Sequence, residues 1–359
     1  MRIALYAPMK PPGHPVPSGD RAMARLLIRA LDMAGHCVTL ASELRVFLRA
    51  GDAGLLAPLE AQAVAEHRRI AAEWHGCGAP DLWLCYHPYY KSPDLIGPAL
   101  AREFAIPYVT AESSWSARRN IGDWARAQDF VLEGTAQAAL NLAITARDAK
   151  GLAEGCPQAR IARLPPFIDA GPFQAPAAPQ PGHFVTAAMM RPGDKLSSYL
   201  ALAAALALVP GDWRLSIAGD GPARAPVEAA FAPFAGRVSF LGQLDQPGMA
   251  ALFAQGWLYL WPGHGEAYGL AALEAQAAGL PVISEDTAGT PEVLEDGRTG
   301  LLTPARDVAA FAHAVTALAF DAPRRARMAA AARRFAHEDR GLDAASRRLD
   351  RLLHKALRQ

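Results

Sequence analysis

Glu266 and Glu274 stand with seven residues between them, on either side of the turn Ala267-Tyr268-Gly269-Leu270. A glycine turn that opens a helix leaves backbone N–H groups free to meet an anion. In that setting both carboxylates face one cleft, while a phosphate contacts the N–H groups near Tyr268, Gly269 and Leu270. Spacing alone says little, because charged helices produce such pairs by chance. The context is what distinguishes this pair: a strand, a glycine-rich turn, Glu-x-Tyr-Gly, a helix, then Gly279-Leu280-Pro281 before another strand.

A second group is cationic. Arg191 and Lys195 lie in a loop after the apolar run 184–189, ahead of a helix that Ser197 or Ser198 would cap. Arg offers a bidentate fork for phosphate oxygens and Lys a compact charge. Further on, Ala218-Gly219-Asp220-Gly221-Pro222 ends a strand. It is not a dinucleotide fingerprint, because Arg224 stands where the third glycine belongs and the motif does not open a domain.

The elements that position these groups form two similar halves. Ile3–Ala7 is an apolar strand, followed by a Pro/Gly loop, a helix over about 21–35 and the strand Cys37–Leu40. The second half repeats the scheme with a strand from Phe184, a helix over 197–209 and the strand Leu215–Ala218. It continues with the strands Val238–Leu241, Trp257–Trp261 and Pro281–Ser284 and the helices 249–254 and 270–278. Continuous apolar strands with helical crossovers predict doubly wound parallel sheets. Between the halves, 165–181 holds six prolines and reads as a linker. The expected domains are 1–170 and 181–339, with the charged helix 340–359 packing back on the first. At 359 residues two domains are the natural expectation.

Composition removes several classes. Lys plus Arg total 36 against 35 Asp plus Glu, so the chain lacks the excess of positive charge that nucleic-acid binding needs. The four cysteines are scattered, with no C-x-x-C pair, as expected for reduced thiols in a cytoplasmic protein. The first apolar run is too short for a signal peptide, and none approaches the ~20 residues that span a bilayer. Two apolar-basic stretches, 44–49 and 67–74, read as helices that could touch a membrane surface, with packing on their own sheet the preferred reading. The Ala-rich, Arg-studded stretch 326–335 reads as a solvated face.

The Glu266–Glu274 segment resembles the signature of family 4 retaining glycosyltransferases with the GT-B fold. The resemblance covers nearly all of 184–305. It implies an α/β architecture of two Rossmann-like doubly wound domains facing across a cleft. It gives Glu266 the donor-sugar contact, Glu274 the ribose of the nucleotide, and Arg191 with Lys195 the donor diphosphate. The family has Gly directly after the Lys, where this chain has Leu196. Gly219 is read as part of a turn lining the nucleotide pocket, and Leu241-Gly242 resembles the family's base-contacting stretch. The segments 288–292 and 296–302 match as well and are read as shaping the fold. In the first half, Gly19 matches a loop that closes over the diphosphate and His87 a histidine near sugar and acceptor. Glu112 stands close to where many members have another His, and Pro166-Phe167 replaces the usual Asn-Gly.

The implied reaction moves a sugar from a UDP- or GDP-sugar to an acceptor hydroxyl with retained configuration. The acceptor is a glycan, a lipid-linked sugar or a small molecule. No D-x-D acidic pair occurs, so no metal or other cofactor is expected. Arg191, Lys195 and helix N–H groups would stabilise the leaving diphosphate instead. Rival readings are a nucleotide-sugar epimerase or phosphorylase of the same fold, or a non-catalytic nucleotide-sugar-binding partner subunit.

Overall fold

Apolar runs bounded by glycine or proline become strands, and the amphipathic stretches between them become the crossovers. In the computed structural model, which describes residues 1–16, 18–51, 54–175 and 177–358, this pattern builds two units. One comprises Met1–Pro165 with Asp343–Gln359, the other Pro166–Leu342.

The first unit holds β1 (Arg2–Tyr6), β2 (Cys37–Ser42), β3 (Leu82–Tyr86), β4 (Tyr108–Ala111), β5 (Leu140–Ala143) and β6 (Ile161–Arg163). Its helices are α1 (Gly19–Met33), α2 (Leu56–Cys77), α3 (Gly97–Glu103), α4 (Asp123–Gln137) and α5 (Ala146–Gly155). The strands pair in parallel in the order β2-β1-β3-β4-β5-β6. β3 is buried along its whole length. Trp74, Trp83, Ile96 and Leu100 share one apolar core. Within it Trp83 Nε1 and Tyr108 Oη donate to Asp94 Oδ2 at 3.0 and 3.1 Å. Asp94 Oδ1 accepts from the N–H groups of Ile96 and Gly97. The buried carboxylate is thereby fully partnered.

The second unit holds β7 (His183–Ala187), β8 (Arg214–Ala218), β9 (Val238–Gly242), β10 (Leu258–Leu260), β11 (Val282–Glu285) and β12 (Gly300–Thr303). Its helices are α6 (Asp194–Leu206), α7 (Arg224–Phe231), α8 (Gln246–Gln255), α9 (Leu270–Ala277), α10 (Val308–Ala319) and α11 (Ala322–Arg334). The order is β12-β11-β10-β7-β8-β9, again all parallel. In such sheets the strand order reverses at one place, here between β7 and β10, and ligands bind outside the carboxyl ends of the strands there. The loops carrying Lys195 and Glu266 follow those two strands. The chain ends in α12 (Leu342–Leu357). Its Asp350 pairs with the buried His36 of the first unit at 3.3 Å.

Four expectations change. α6 begins at Asp194 rather than Ser197, because Gly193 takes the left-handed φ of +83° and turns the chain directly into the helix. Ser197 and Ser198 therefore sit inside the helix and cap nothing. The stretch 44–49 is not helical. Val46 and Leu48 point inward at a period of two, and their N–H groups donate to Pro8 O and Lys91 O. The side chains of Ile70 and Trp74 in α2 are buried too, so these apolar groups are turned into their own unit rather than outward. The linker is seated on the second unit from Pro166 onward. Phe173 packs against Phe253 at 6.0 Å, and Ala178 N donates to Ala254 O at 2.8 Å; Pro176 lies outside the described residues. In α11 one face is buried rather than solvated, with Met328, Ala331 and Ala332 inward and Arg325 Cζ 3.9 Å over the Trp257 ring. Among the described residues no helix is long and apolar enough to cross a membrane.

Candidate functional site

At the switch point of the second unit, Lys195 sits in the first turn of α6 and Glu266 in the loop after β10. Lys195 Nζ donates to Glu266 Oε2 in an ion pair. Trp261 Nε1 donates to the same oxygen at 3.1 Å, and the Lys195 ammonium lies 5.3 Å from the Trp261 ring centre. One indole thus orients both charges. Lys195, Glu266, Tyr268, Gly269 and Leu270 line one cavity, floored by Tyr259 and Ser284 from the strands beneath.

The loop that carries Glu266 is anchored by residues that the sequence reading did not select. His264 Nδ1 and Ser197 Oγ are hydrogen-bonded at 2.8 Å, and His264 Nε2 and Glu285 Oε2 at 3.1 Å. Glu285 Oε2 also accepts from Arg306 N at 2.7 Å, and the His264 N–H donates to Ser198 Oγ at 2.9 Å. His264 and Glu285 are both buried. This chain of hydrogen bonds ties the glutamate loop to the helix that presents Lys195. A signal existed in hindsight: Ser197-Ser198 and His264 flank the cationic and acidic motifs. On the other side Gly289 N donates to Glu266 O at 3.0 Å. A Cβ at Gly289 would fall 1.6 Å from Ala267 O, so that contact admits only glycine.

α9 starts at Leu270 after Gly269, whose φ is +83°, and no side chain caps it. Among the described residues the N–H groups of Leu270 and Ala271 donate to no backbone carbonyl outside the helix, whereas Ala272 N reaches Gly269 O. Two free donors at a helix N-terminus form an anion seat. One turn further on, Glu274 is half-buried and does not itself line that cavity. Burial pushes its pKa up to about 7, and no hydrogen bond or cation offsets that cost. A carboxyl in this condition gains from any ligand that brings hydroxyl donors.

Arg191 and the two remaining glycines stand apart from this cavity. Arg191 is exposed, and its side chain makes no hydrogen bond or ion pair with the described residues. Gly219 N donates to Gly242 O at 2.7 Å, joining the ends of β8 and β9. A Cβ at Gly219 would come within 2.0 Å of Ala188 O, whereas one at Gly242 would meet nothing within 4 Å. Gly219 is therefore required by packing and Gly242 borders open space.

Gly19 and His87 belong to the first unit and flank its own switch point, Gly19 as the first residue of α1 rather than in the loop before it, and His87 in the loop after β3. Ser18 caps α1, its Oγ accepting from Arg21 N at 3.2 Å; Pro17 lies outside the described residues. Gly19 is exposed, and nothing lies within 4 Å of where its Cβ would be. His87 Nδ1 meets Asp20 Oδ1 at 3.2 Å and its ring stacks on Tyr89 at 4.7 Å. His87 and Glu112 each directly follow a strand, β3 and β4, and each has a left-handed φ, 60° and 59°. That conformation is uncommon outside glycine and concentrates at functional sites. Burial opposes charge on His87, but the field of Glu112 and the hydrogen bond to Asp20 prevail, raising its pKa to about 9. At neutral pH His87 is an imidazolium, a donor and not a base. Among the described residues no three His, Cys, Asp or Glu side chains converge as a metal site.

Comparison with known proteins relates the chain to glycosyl transferases. Residues 182–321 match the family model of the group 1 glycosyl transferases. The phosphatidyl-myo-inositol mannosyltransferase of Mycobacterium leprae is 42% identical over 82 residues, 23% of this chain and 22% of that one. The D-inositol 3-phosphate glycosyltransferase of Kribbella flavida is 39% identical over 93 residues, 26% and 22% of the two chains. These alignments span about a fifth of the relatives' length. The fold, by contrast, is shared end to end. Sucrose-phosphate synthase from Thermosynechococcus elongatus superposes with a TM-score of 0.76 at 19% identity, covering 99% of this chain and 98% of that one. Anabaena HepE in complex with UDP and glucose gives 0.72 at 16% identity, covering 99% and 100%. The architecture is thus the GT-B fold of two Rossmann-like α/β domains.

Proposed function

We propose that the chain is a retaining glycosyltransferase of the family 4 type. It would move a sugar from a UDP- or GDP-sugar to an acceptor hydroxyl without a metal. The observation that carries this reading is the Lys195–Glu266 pair beside an uncapped helix N-terminus, with the unpartnered Glu274 one turn along that helix. The diphosphate would lie on the Leu270 and Ala271 N–H groups and exchange Glu266 for itself as the partner of Lys195, with Arg191 free to join. Glu274, once ionised, would accept both ribose hydroxyls.

In the reaction the bond from the anomeric carbon to the diphosphate oxygen breaks and the acceptor oxygen bonds to that carbon from the same face. The acceptor proton passes to the departing phosphate. Negative charge grows on the leaving group, where Lys195 and the helix amides are already oriented, and preorganised charge of this kind lowers the barrier. Glu266, released from Lys195, would hold the sugar hydroxyls. His87, protonated, would donate to an acceptor oxygen. The matched relatives bear transferase names and a fold neighbour was solved with UDP and glucose, which supports a nucleotide-sugar donor.

The test is a thermal-shift panel of UDP- and GDP-sugars with and without a divalent metal, followed by assay of nucleotide release. A ligand that binds only the folded state raises its apparent stability, so the donor identifies itself. Glu274→Ala should abolish the shift. An unchanged shift, or a donor that binds only with metal, would overturn the proposal. Conversion of the donor without an acceptor would assign an epimerase instead.

A further inference from the structure

The first unit contains a cavity of about 530 Å³. It opens between the loop after β4 and the first turns of α5. Both lie at the carboxyl ends of the strands, where ligands of parallel sheets bind. Its lining includes Trp115, Arg118, Arg119, Arg147 and Lys150. A volume of that size suits a small polar ligand.

Its charge is not neutralised from within. Arg118 forms no ion pair among the described residues, and Arg119 lies only over the rings of Tyr90 and Trp124, at 5.2 and 6.0 Å. Arg147 stays 3.9 Å from Asp148. The Asp148 carboxylate is itself engaged by Thr145 Oγ1 at 2.6 Å. Lys150 reaches only Glu154, at 3.8 Å. Both separations are long and both cations are exposed, so these pairs are worth little and leave the cations available.

The walls are fixed in advance. Trp115 is pressed onto α5, where a Cβ at Gly155 would come within 2.7 Å of the indole and one at Gly151 within 2.7 Å of the Trp115 carbonyl. Ser116 N donates to Gln128 Oε1 at 2.9 Å and Arg119 N to Ser116 O at 2.9 Å. Tyr90 is held edge-on by Trp124 at 5.1 Å.

Two lining residues also connect this cavity to the His87 cluster through packing and charge, although His87 itself does not line it. Tyr90 lines it and packs on Tyr89, which stacks on His87. Asp148 lines it too, and its charge acts on both His87 and Glu112. One part of the wall is therefore cationic, and another presents Tyr90 and Asp148, groups suited to hydroxyls.

We propose that this cavity is the acceptor site and that the acceptor is a phosphorylated polyol or sugar, its phosphate on Arg118, Arg119 and Arg147 and its hydroxyls toward the Tyr90 and Asp148 side of the cavity. The inference rests on the transferase reading and adds the class of acceptor. A planar guanidinium pairs with two phosphate oxygens at once, which a neutral sugar cannot reproduce.

The experiment titrates the full chain with glucose 6-phosphate and glycerol 3-phosphate beside glucose and glycerol. The same titrations are made on Arg118→Gln/Arg147→Gln, two exposed positions. The phosphorylated compounds are expected to bind, the neutral ones at least tenfold more weakly, and the double variant to lose at least tenfold in affinity for the phosphates. Equal binding of neutral and phosphorylated compounds, or an unaffected double variant, overturns the proposal. A parallel arm measures co-sedimentation with vesicles of phosphatidylinositol in phosphatidylcholine. Arginine-dependent vesicle binding assigns the phosphate to a lipid headgroup, and binding of the soluble phosphates alone assigns it to a free one. UDP titration of the same proteins reports on the second unit, so failure of the anion site is distinguishable from failure of the transferase reading.

Discussion

Lys195 and Glu266 are separated by 71 residues and meet as an ion pair at the mouths of the adjacent strands β7 and β10. The pair neutralises two charges that would otherwise share a half-buried cavity, and it holds the ammonium where a diphosphate would need it. Anionic donor and carboxylate then compete for one cation, so binding the donor frees Glu266 to hold hydroxyls. Lys195→Ala should lower kcat/KM by about 100-fold or more, the order seen when one preorganised donor is removed from a developing anion. Glu266→Gln, which keeps the shape but not the charge, should leave nucleotide affinity within a few-fold and lower kcat. Steady-state kinetics with the donor varied checks both.

Glu274 yields a prediction with a defined sign. Its folded pKa of about 7 lies above the ordinary carboxyl value of 4.5, so the folded state holds the proton more tightly than the unfolded chain does. The associated stability is fully present below pH 4.5 and is lost as pH rises through about 7. Glu274→Gln should therefore stabilise the unliganded protein at pH 8, by on the order of 2 kcal/mol, and change little at pH 4.5. Ribose recognition runs the other way, because the ionised form is the better acceptor. Wild-type nucleotide affinity should fall as pH drops from 8 to 6, and that of Glu274→Gln should stay flat. Denaturant melts and nucleotide titrations at both ends of the range decide the matter.

How much of this was readable beforehand divides along physical lines. The strand, turn and helix around Glu266 and Glu274 were legible because glycine turns and apolar runs are local signals. Lys195 was legible as a charge after a strand, but not its union with Glu266, which depends on β7 and β10 being neighbours. The start of α6 was misplaced because Ser197 and Ser198 look like caps, while Gly193 does the turning. Residues 44–49 read as helical on composition, although their buried residues alternate. The partners of His264 are remote in sequence from it and carry no local signature.

His264 supports a third prediction. His264→Ala would leave the buried Glu285 with the Arg306 N–H but without its imidazole, and Ser197 without its partner, and removing one partner of a buried polar group costs about 1–3 kcal/mol. The effect on function should exceed that of a distant cavity of equal cost, because the same bonds aim the Glu266 loop at α6. His264→Asn, which can keep one of the two side-chain bonds, should recover part of kcat while donor KM changes little. Equal kcat in both variants and the wild type would remove the positioning role.

His87 gives the last. Its folded pKa of about 9 lies above the ordinary 6.5, so the charged imidazolium adds stability that is fully present below pH 6.5 and is lost as pH rises through about 9. A shift of that size corresponds to on the order of 3 kcal/mol, reduced by the partial exposure of the ring. His87→Gln should therefore unfold at lower denaturant than the wild type at pH 6.5, with the gap narrowing above pH 9. The flattening should be absent from Asp20→Asn/Glu112→Gln, which lacks the carboxylates that hold the proton on the ring. Should transfer need the imidazolium as a donor, kcat of the wild type would fall on the alkaline side with an apparent pKa near 9, whereas a neutral imidazole acting as base would make kcat rise there. The direction of that limb separates a hydrogen-bond donor from a base.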